Sequence, residues 1–168
     1  NYYRGSEDDF WHHGDLGYFT ENGGLVITSR YDNTLKPKGF RINPLDYYDF
    51  FVGNSGVSDC LVTSFNENND NHIVIFLKSS EDEAALRNSV ENEISEKLGS
   101  FYRPRYIIVV SEIPYNTNKK REEIPVKRLL QDFFDGKQPL DLNVYSETNT
   151  RILTEYVAKL SSLNPSSP

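Results

Sequence analysis

Two uninterrupted apolar runs, residues 73–77 (Ile-Val-Ile-Phe-Leu) and 106–110 (Tyr-Ile-Ile-Val-Val), do most to narrow what this chain can fold into. Both are strand-sized, and both are far too short to span a bilayer. Between them Leu86, Val90, Ile94 and Leu98 recur every fourth residue, which predicts a helix with one apolar stripe, and Gly99 stops it. Ser80-Glu81-Asp82-Glu83 ahead of that stripe reads as a capping box with acidic residues in the first turn. Residues 59–65 and 72–78 read as strands around the Asn-rich turn 66–71. Asn43-Pro44 opens a further helix, with Asn as N-cap and Pro first, and Leu45, Tyr48, Phe51 and Val52 fall on one face. Residues 126–134 read as another helix. The expected fold class is therefore α+β: a compact unit over about residues 32–135, with a short mixed sheet flanked by helices.

Outside that unit, residues 15–27 read as two short strands around the turn Glu21-Asn22-Gly23-Gly24. After the break Gly136-Lys137-Gln138-Pro139, residues 148–160 form an amphipathic helix with Ile152, Leu153, Tyr156, Val157 and Leu160 as its apolar face. Residues 163–168 read as a loose tail, and no internal repeat is visible.

The chain has 168 residues, 37% hydrophobic, enough for a packed core. A net charge of −7 argues against nucleic acid as a partner, because a phosphate backbone demands a positive face. Cys60 is alone, so no internal disulfide forms, and the opening residues lack a charged-then-apolar signal pattern. Both point to a reducing, cytoplasmic setting with no membrane span. With no Met in the sequence, residues 1–10 read as the interior of a longer chain.

Four separated pieces carry the candidate chemistry. Gly14-Asp15 precedes a strand, where a carboxylate can accept from two ribose hydroxyls; taken singly it is more often a turn residue. Arg30 and Asp32 flank Tyr31, either at a phosphate- or ribose-binding hinge or as a weak surface pair. Gly39 and Arg41 follow a Lys/Pro/Gly loop; glycine allows close backbone approach and Arg offers a fork for phosphate, although an ordinary turn uses the same residues. Lys119-Lys120-Arg121 is a cationic run in a polar loop, 114–123. Such runs are usually solvated faces, but this one is placed to reach into a remote site. His12, His13 and His72 form no cluster of metal-ligand spacing, and Cys60 reads as a core residue.

In this order the pieces resemble the C-terminal end of the adenylate-forming superfamily of acyl-CoA synthetases, luciferases and peptide-synthetase adenylation domains, and within it the acetoacetate-activating branch. His13-Gly14-Asp15, residues 32–41 (DNTLKPKGFR) and the stretch from Ile113-Pro114-Tyr115 through Lys119-Lys120 to Val126-Lys127 carry the resemblance, which covers roughly residues 9–160. It implies that residues 1–31 end a large N-terminal adenylation domain, 32–136 form the small lid domain, and 137–168 are a C-terminal extension. It implies a ligase joining a short acyl acid such as acetoacetate to CoA, using ATP and Mg2+, through an acyl-adenylate and with release of AMP. By position, Asp15 and Arg30 would meet the ribose, Asp32 would be the hinge, Gly39 would line the pantetheine path, Arg41 would meet phosphate, and Lys120 would be the catalytic lysine, with Lys119 the neighbouring alternative. The chain's own N-terminal domain is the implied protein partner.

Four positions depart from the pattern: Ser29 and Lys119 stand where Gly is usual, Asp46 where Glu is usual, and Asn116 in place of a frequent Thr. A lysine at 119 in place of a flexible glycine keeps a second expectation open, a non-catalytic descendant that retains the fold as a binding or regulatory module.

Overall fold

In the computed structural model, which describes residues 14–30, 34–53, 56–137, 142 and 145–163, the two apolar runs lie side by side as parallel strands. The elements are β1 (Asp15–Phe19), β2 (Leu25–Arg30), α1 (Pro44–Phe51), β3 (Asp59–Glu67), β4 (Asp70–Lys78), α2 (Glu83–Lys97), β5 (Tyr106–Val110), α3 (Glu123–Phe134) and α4 (Glu147–Leu163). The main sheet has the order β3-β4-β5; β3 and β4 are an antiparallel hairpin, and α2 is the crossover to parallel β5.

The runs are unbroken because both faces of the sheet are covered. Side chains alternate along a strand. Ile73, Ile75, Leu77, Ile107 and Val109 join Tyr47 and Phe51 of α1 and Leu86, Val90 and Ile94 of α2. Val74, Phe76, Ile108 and Val110 join Val126, Leu130 and Phe133 of α3 and Ile152, Leu153, Tyr156 and Leu160 of α4. A strand with no solvent face keeps no polar alternation. The α+β class and the mixed sheet are as expected, and the sheet is the middle of three layers.

Local details differ from the sequence reading in four places. The Asn-rich turn shrinks to Asn68 and Asn69, both with positive φ (53° and 63°), so β3 and β4 run on to Glu67 and from Asp70. Asn tolerates the left-handed region that a two-residue hairpin loop requires. The capping box does not form: Asp82 is the N-cap of α2, and its carboxylate accepts from the Ala85 N–H at 2.9 Å. Helix α3 begins at Glu123, a turn early, because Pro125 falls in the first turn, where its missing N–H is no loss. On α1 the Asn43 cap and Pro44 are as predicted, but the buried residues are Pro44, Tyr47 and Phe51 while Leu45 and Val52 are exposed. Tyr47 wins the inward position because its hydroxyl donates to the Tyr102 carbonyl at 2.6 Å.

The β1–β2 hairpin closes through the predicted turn, and a bulge lies between Leu16 and Gly17. A Cβ at Gly17 would sit 2.4 Å from the Val26 carbonyl oxygen, so this strand position accepts only glycine.

Candidate functional site

The candidate residues fall in three places. At the open end of the hairpin the register pairs Asp15 with Arg30, so strand pairing alone brings these two positions opposite each other. Asp15 is exposed. Asp32, His12 and His13 lie outside the described residues. His72, on β4, has its ring against Phe65.

The second place is the glycine turn. Leu35 and Ile42 pair as a two-residue ladder, each N–H donating to the other's carbonyl at 3.1 and 2.9 Å. The loop between them docks on the β3–β4 turn: Lys36 N–H donates to Asn71 Oδ1 and Lys38 N–H to Asp70 Oδ1, both at 2.8 Å. Those backbone donors, Lys38 first and then Asn71, hold the Asp70 carboxyl below its usual range. Lys38 and Gly39 are both left-handed, with φ of 49° and 82°. A Cβ at Gly39 would meet nothing within 4 Å, so glycine is needed for the backbone angle and leaves an open face. Phe40 packs its ring 4.0 Å from that of Phe101, and exposed Arg41 follows. A cavity of about 250 Å³ lined by Lys38, Phe101, Arg103 and Arg105 opens beside the turn.

The third place is the lysine loop between β5 and α3. Tyr115 and Arg121 pair across its neck. Asn116 N–H donates to the Lys120 carbonyl (2.9 Å), Lys119 N–H to the Asn116 carbonyl (3.0 Å), and Asn116 Oδ1 accepts from the N–H groups of Asn118 (2.9 Å) and Lys120 (3.0 Å). Closing so tight a turn puts Lys119 at φ 58°, in the left-handed region. The cationic run therefore divides. Arg121 is an anchor: its guanidinium pairs with Asp59 at 2.8 Å and lies over the rings of Tyr48 (4.5 Å) and Tyr115 (5.7 Å). The Tyr115 hydroxyl donates to the same Asp59 carboxylate at 2.8 Å. Lys120 is exposed, and among the described residues its ammonium has no partner. Cys60, next to Asp59, is buried, and burial pushes its thiol up to about 12, opposed by the charge of Arg121. A raised thiol is a poor nucleophile, so Cys60 belongs to the core as expected.

Sequence reasoning missed Asp59, Tyr48 and Asn149, all of which hold this loop. Asp59 and Tyr48 lie 62 and 73 residues before Arg121, and nothing local marks them. Asn149 carries a signal: it is buried at a core-facing position of α4, three residues before Ile152.

The glycine turn and the lysine loop stand at opposite ends of the sheet. The turn docks at the β3–β4 hairpin loop, whereas Arg121 binds Asp59 at the start of β3. A nine-residue strand such as β3 spans roughly 27 Å. One small ligand therefore cannot touch both ends at once.

No family model matches the chain. It is 28% identical to the acetoacetyl-CoA synthetase of Gallus gallus over 155 residues, covering 89% of this chain and 23% of that protein. It is 30% identical to the enzyme of the same name from Xenopus tropicalis over 144 residues, 79% of this chain and 21% of that one. Among solved structures, acetoacetyl-CoA synthetase from Streptomyces lividans superposes with a TM-score of 0.58 and 30% identity, over 71% of this chain and 18% of that one. The chain belongs to the adenylate-forming acyl-CoA synthetase superfamily. Its fold is that of the C-terminal domain of these enzymes. ATP-bound MatB from Rhodopseudomonas palustris, a 21% identical chain, shares the fold with a TM-score of 0.64 over 74% of this chain and 25% of its own. The chain spans about a fifth of the length of the two synthetases it matches. Among the described residues of this superfamily member, no three His, Cys, Asp or Glu groups converge as a metal site, and no helix is long and apolar enough to cross a membrane.

Proposed function

We propose that this chain is the lid portion, with the last hairpin of the large domain, of an ATP-dependent acyl-CoA synthetase acting on acetoacetate or a similar short acyl acid. The carboxylate attacks the α-phosphate of ATP to give acyl-AMP and pyrophosphate; the CoA thiol then displaces AMP to give the thioester. The large N-terminal domain holds the acyl pocket and most of the nucleotide. Mg2+ would enter with the ATP phosphates as their counter-ion.

Asp15 and Arg30, opposite each other on the hairpin, are assigned to the ribose hydroxyls. Lys120 is assigned to the adenylation step, where its ammonium offsets charge on the α-phosphate and the attacking carboxylate. Gly39 is assigned to the pantetheine path of the second step, Arg41 to phosphate, and Asp32 to the hinge on which the lid turns. The observation that carries this reading is the lysine loop: a closed turn, anchored through Arg121, with the exposed Lys120 ammonium at its tip, unpaired among the described residues. The two-ended sheet supports it, because a lid offering Lys120 from one end and Gly39 from the other must rotate between steps. The alternative, a non-catalytic descendant, rested on the glycine missing at 119; the loop makes the same left-handed turn with a lysine, which favours the enzyme.

The test is Lys120→Ala in the full-length protein. Pyrophosphate exchange should fall about a hundredfold, ~3 kcal/mol of lost charge stabilisation, while CoA's reaction with preformed acyl-adenylate stays nearly intact. A silent Lys120→Ala beside a damaging Lys119→Ala would move the assignment one residue back. A wild type inactive on every short acyl acid would return the reading to the binding module.

A further inference from the structure

Helix α4 lies in the extension beyond residue 136, yet its side chains bond the stem of the lysine loop at several points. Its apolar stripe, Ile152, Leu153, Tyr156 and Leu160, packs on the second face of the sheet. Asn149, one turn earlier on that stripe, is only 5% exposed. An amide at a core position is unfavourable unless it makes a specific hydrogen bond. Here Asn149 Nδ2 donates to the Tyr115 carbonyl at 3.3 Å, at the neck of the loop that presents Lys120. Below it, the Tyr156 hydroxyl donates to the Glu112 carbonyl (3.1 Å), Arg151 pairs with the Glu112 carboxylate (2.7 Å), and Glu155 accepts from the Ser111 N–H (2.9 Å).

A cavity of about 700 Å³, lined by Tyr115, Asn116, Ile124, Arg128, Tyr145 and Asn149, separates the loop from the start of α4. A loop flanked by an open groove relies on directional bonds at its neck, so its tip is only as well placed as those bonds. On the other side of the neck, Asp59 holds Tyr115 and Arg121.

We propose that α4 is a positioning element for the lysine loop, with Asn149 acting through the Tyr115 carbonyl to set where Lys120 stands during adenylation. The inference rests on the reading of Lys120 given above. Asn149 touches no substrate; it is a positioning residue, and its loss displaces a charge stabiliser without removing it. Misplacement of this kind weakens catalysis more than binding.

The experiment is a cycle of Asn149→Leu and Lys120→Ala in the full-length protein, read by pyrophosphate exchange, thioester formation from preformed acyl-adenylate, and thermal melting. Asn149→Leu preserves volume and apolar packing while removing the donor. The expected result is a drop of about tenfold in kcat for exchange, with KM for ATP and the thioester step within about twofold. In the Lys120→Ala background Asn149→Leu should add nothing, because two residues acting through one group are not additive. Asn149→Ser, too short to reach Tyr115, should reproduce the loss if the leucine variant does not fold. Equal loss in both half-reactions, an additive double variant, or undiminished exchange in folded Asn149→Leu and Asn149→Ser would overturn the positioning role. A silent Lys120→Ala would remove the reading beneath it, and is told apart by that single variant.

Discussion

Lys119 shows how one residue can carry both a departure from a pattern and its physical meaning. An L-residue in the left-handed region costs roughly 1–2 kcal/mol, and glycine avoids this at the expense of more chain entropy in the unfolded state. Lys119→Gly should therefore raise stability by about 0.5–1 kcal/mol, while Lys119→Ala, which bears the same backbone strain, should be neutral. Urea unfolding of the three proteins checks this, and a stabilising alanine would mean that the lysine side chain, not φ, is the source of strain. Cys60 makes a second residue-scale prediction. With its thiol pushed up to about 12 by burial, almost none is thiolate at pH 8. Iodoacetamide should label the folded protein about a thousandfold more slowly than the unfolded chain. Labelling at the rate of an open thiol would place Cys60 in an accessible, reactive setting. The lone cysteine was legible in the sequence as a core residue because Leu61 and Val62 follow it directly in its strand.

At the scale of elements, the lysine loop is held from two sides by residues far away in sequence. Asp59, at the first position of β3, accepts from Arg121, from the Tyr115 hydroxyl and from its neighbour's N–H at Cys60. Asp59→Ala leaves a half-buried guanidinium without its carboxylate, which should lower stability by about 1–3 kcal/mol and slow adenylation together. Arg121→Lys should behave similarly despite keeping the charge, since an ammonium lacks the plane that lies over Tyr48 and Tyr115. Denaturation and pyrophosphate exchange on the two variants are the measurements; full adenylation by a destabilised Asp59→Ala would show that the loop needs no clamp. The sequence displayed the loop as polar and cationic. It did not display which of three adjacent cations is anchored, because that depends on a carboxylate four elements earlier, at the start of β3.

Across the whole molecule, buried hydroxyls and the thiol make the fold sensitive to alkali. Burial first, then Asp46, raises Tyr102 to about 12, and burial of Cys60 does the same. Tyr47, Tyr48 and Tyr156 are pushed higher still, chiefly by burial. Groups whose folded pKa is raised stay neutral below their unfolded values, near 8.5 for Cys and 10 for Tyr, and the folded state then keeps its full stability. Above those values the unfolded chain ionises while the folded one resists. Stability should hold to about pH 8.5 and then fall steadily through pH 12, as denaturant midpoints across that range would record; a flat profile would mean that these side chains open to solvent without unfolding. The sequence by itself determined the elements and the layers, since periodicity of two or nearly four, an Asn-Pro cap and a stopping glycine act over a few residues. It also singled out the candidate residues as charged or turn-forming positions, while their roles came from the resemblance. Only the tertiary structure decided which face of α1 is buried, that Asp15 stands opposite Arg30, that Asp59 grips Arg121, and that Asn149 reaches Tyr115. Those contacts join residues 15 to 62 positions apart, and pairing at that range is set by how the elements pack and not by any local preference of the chain.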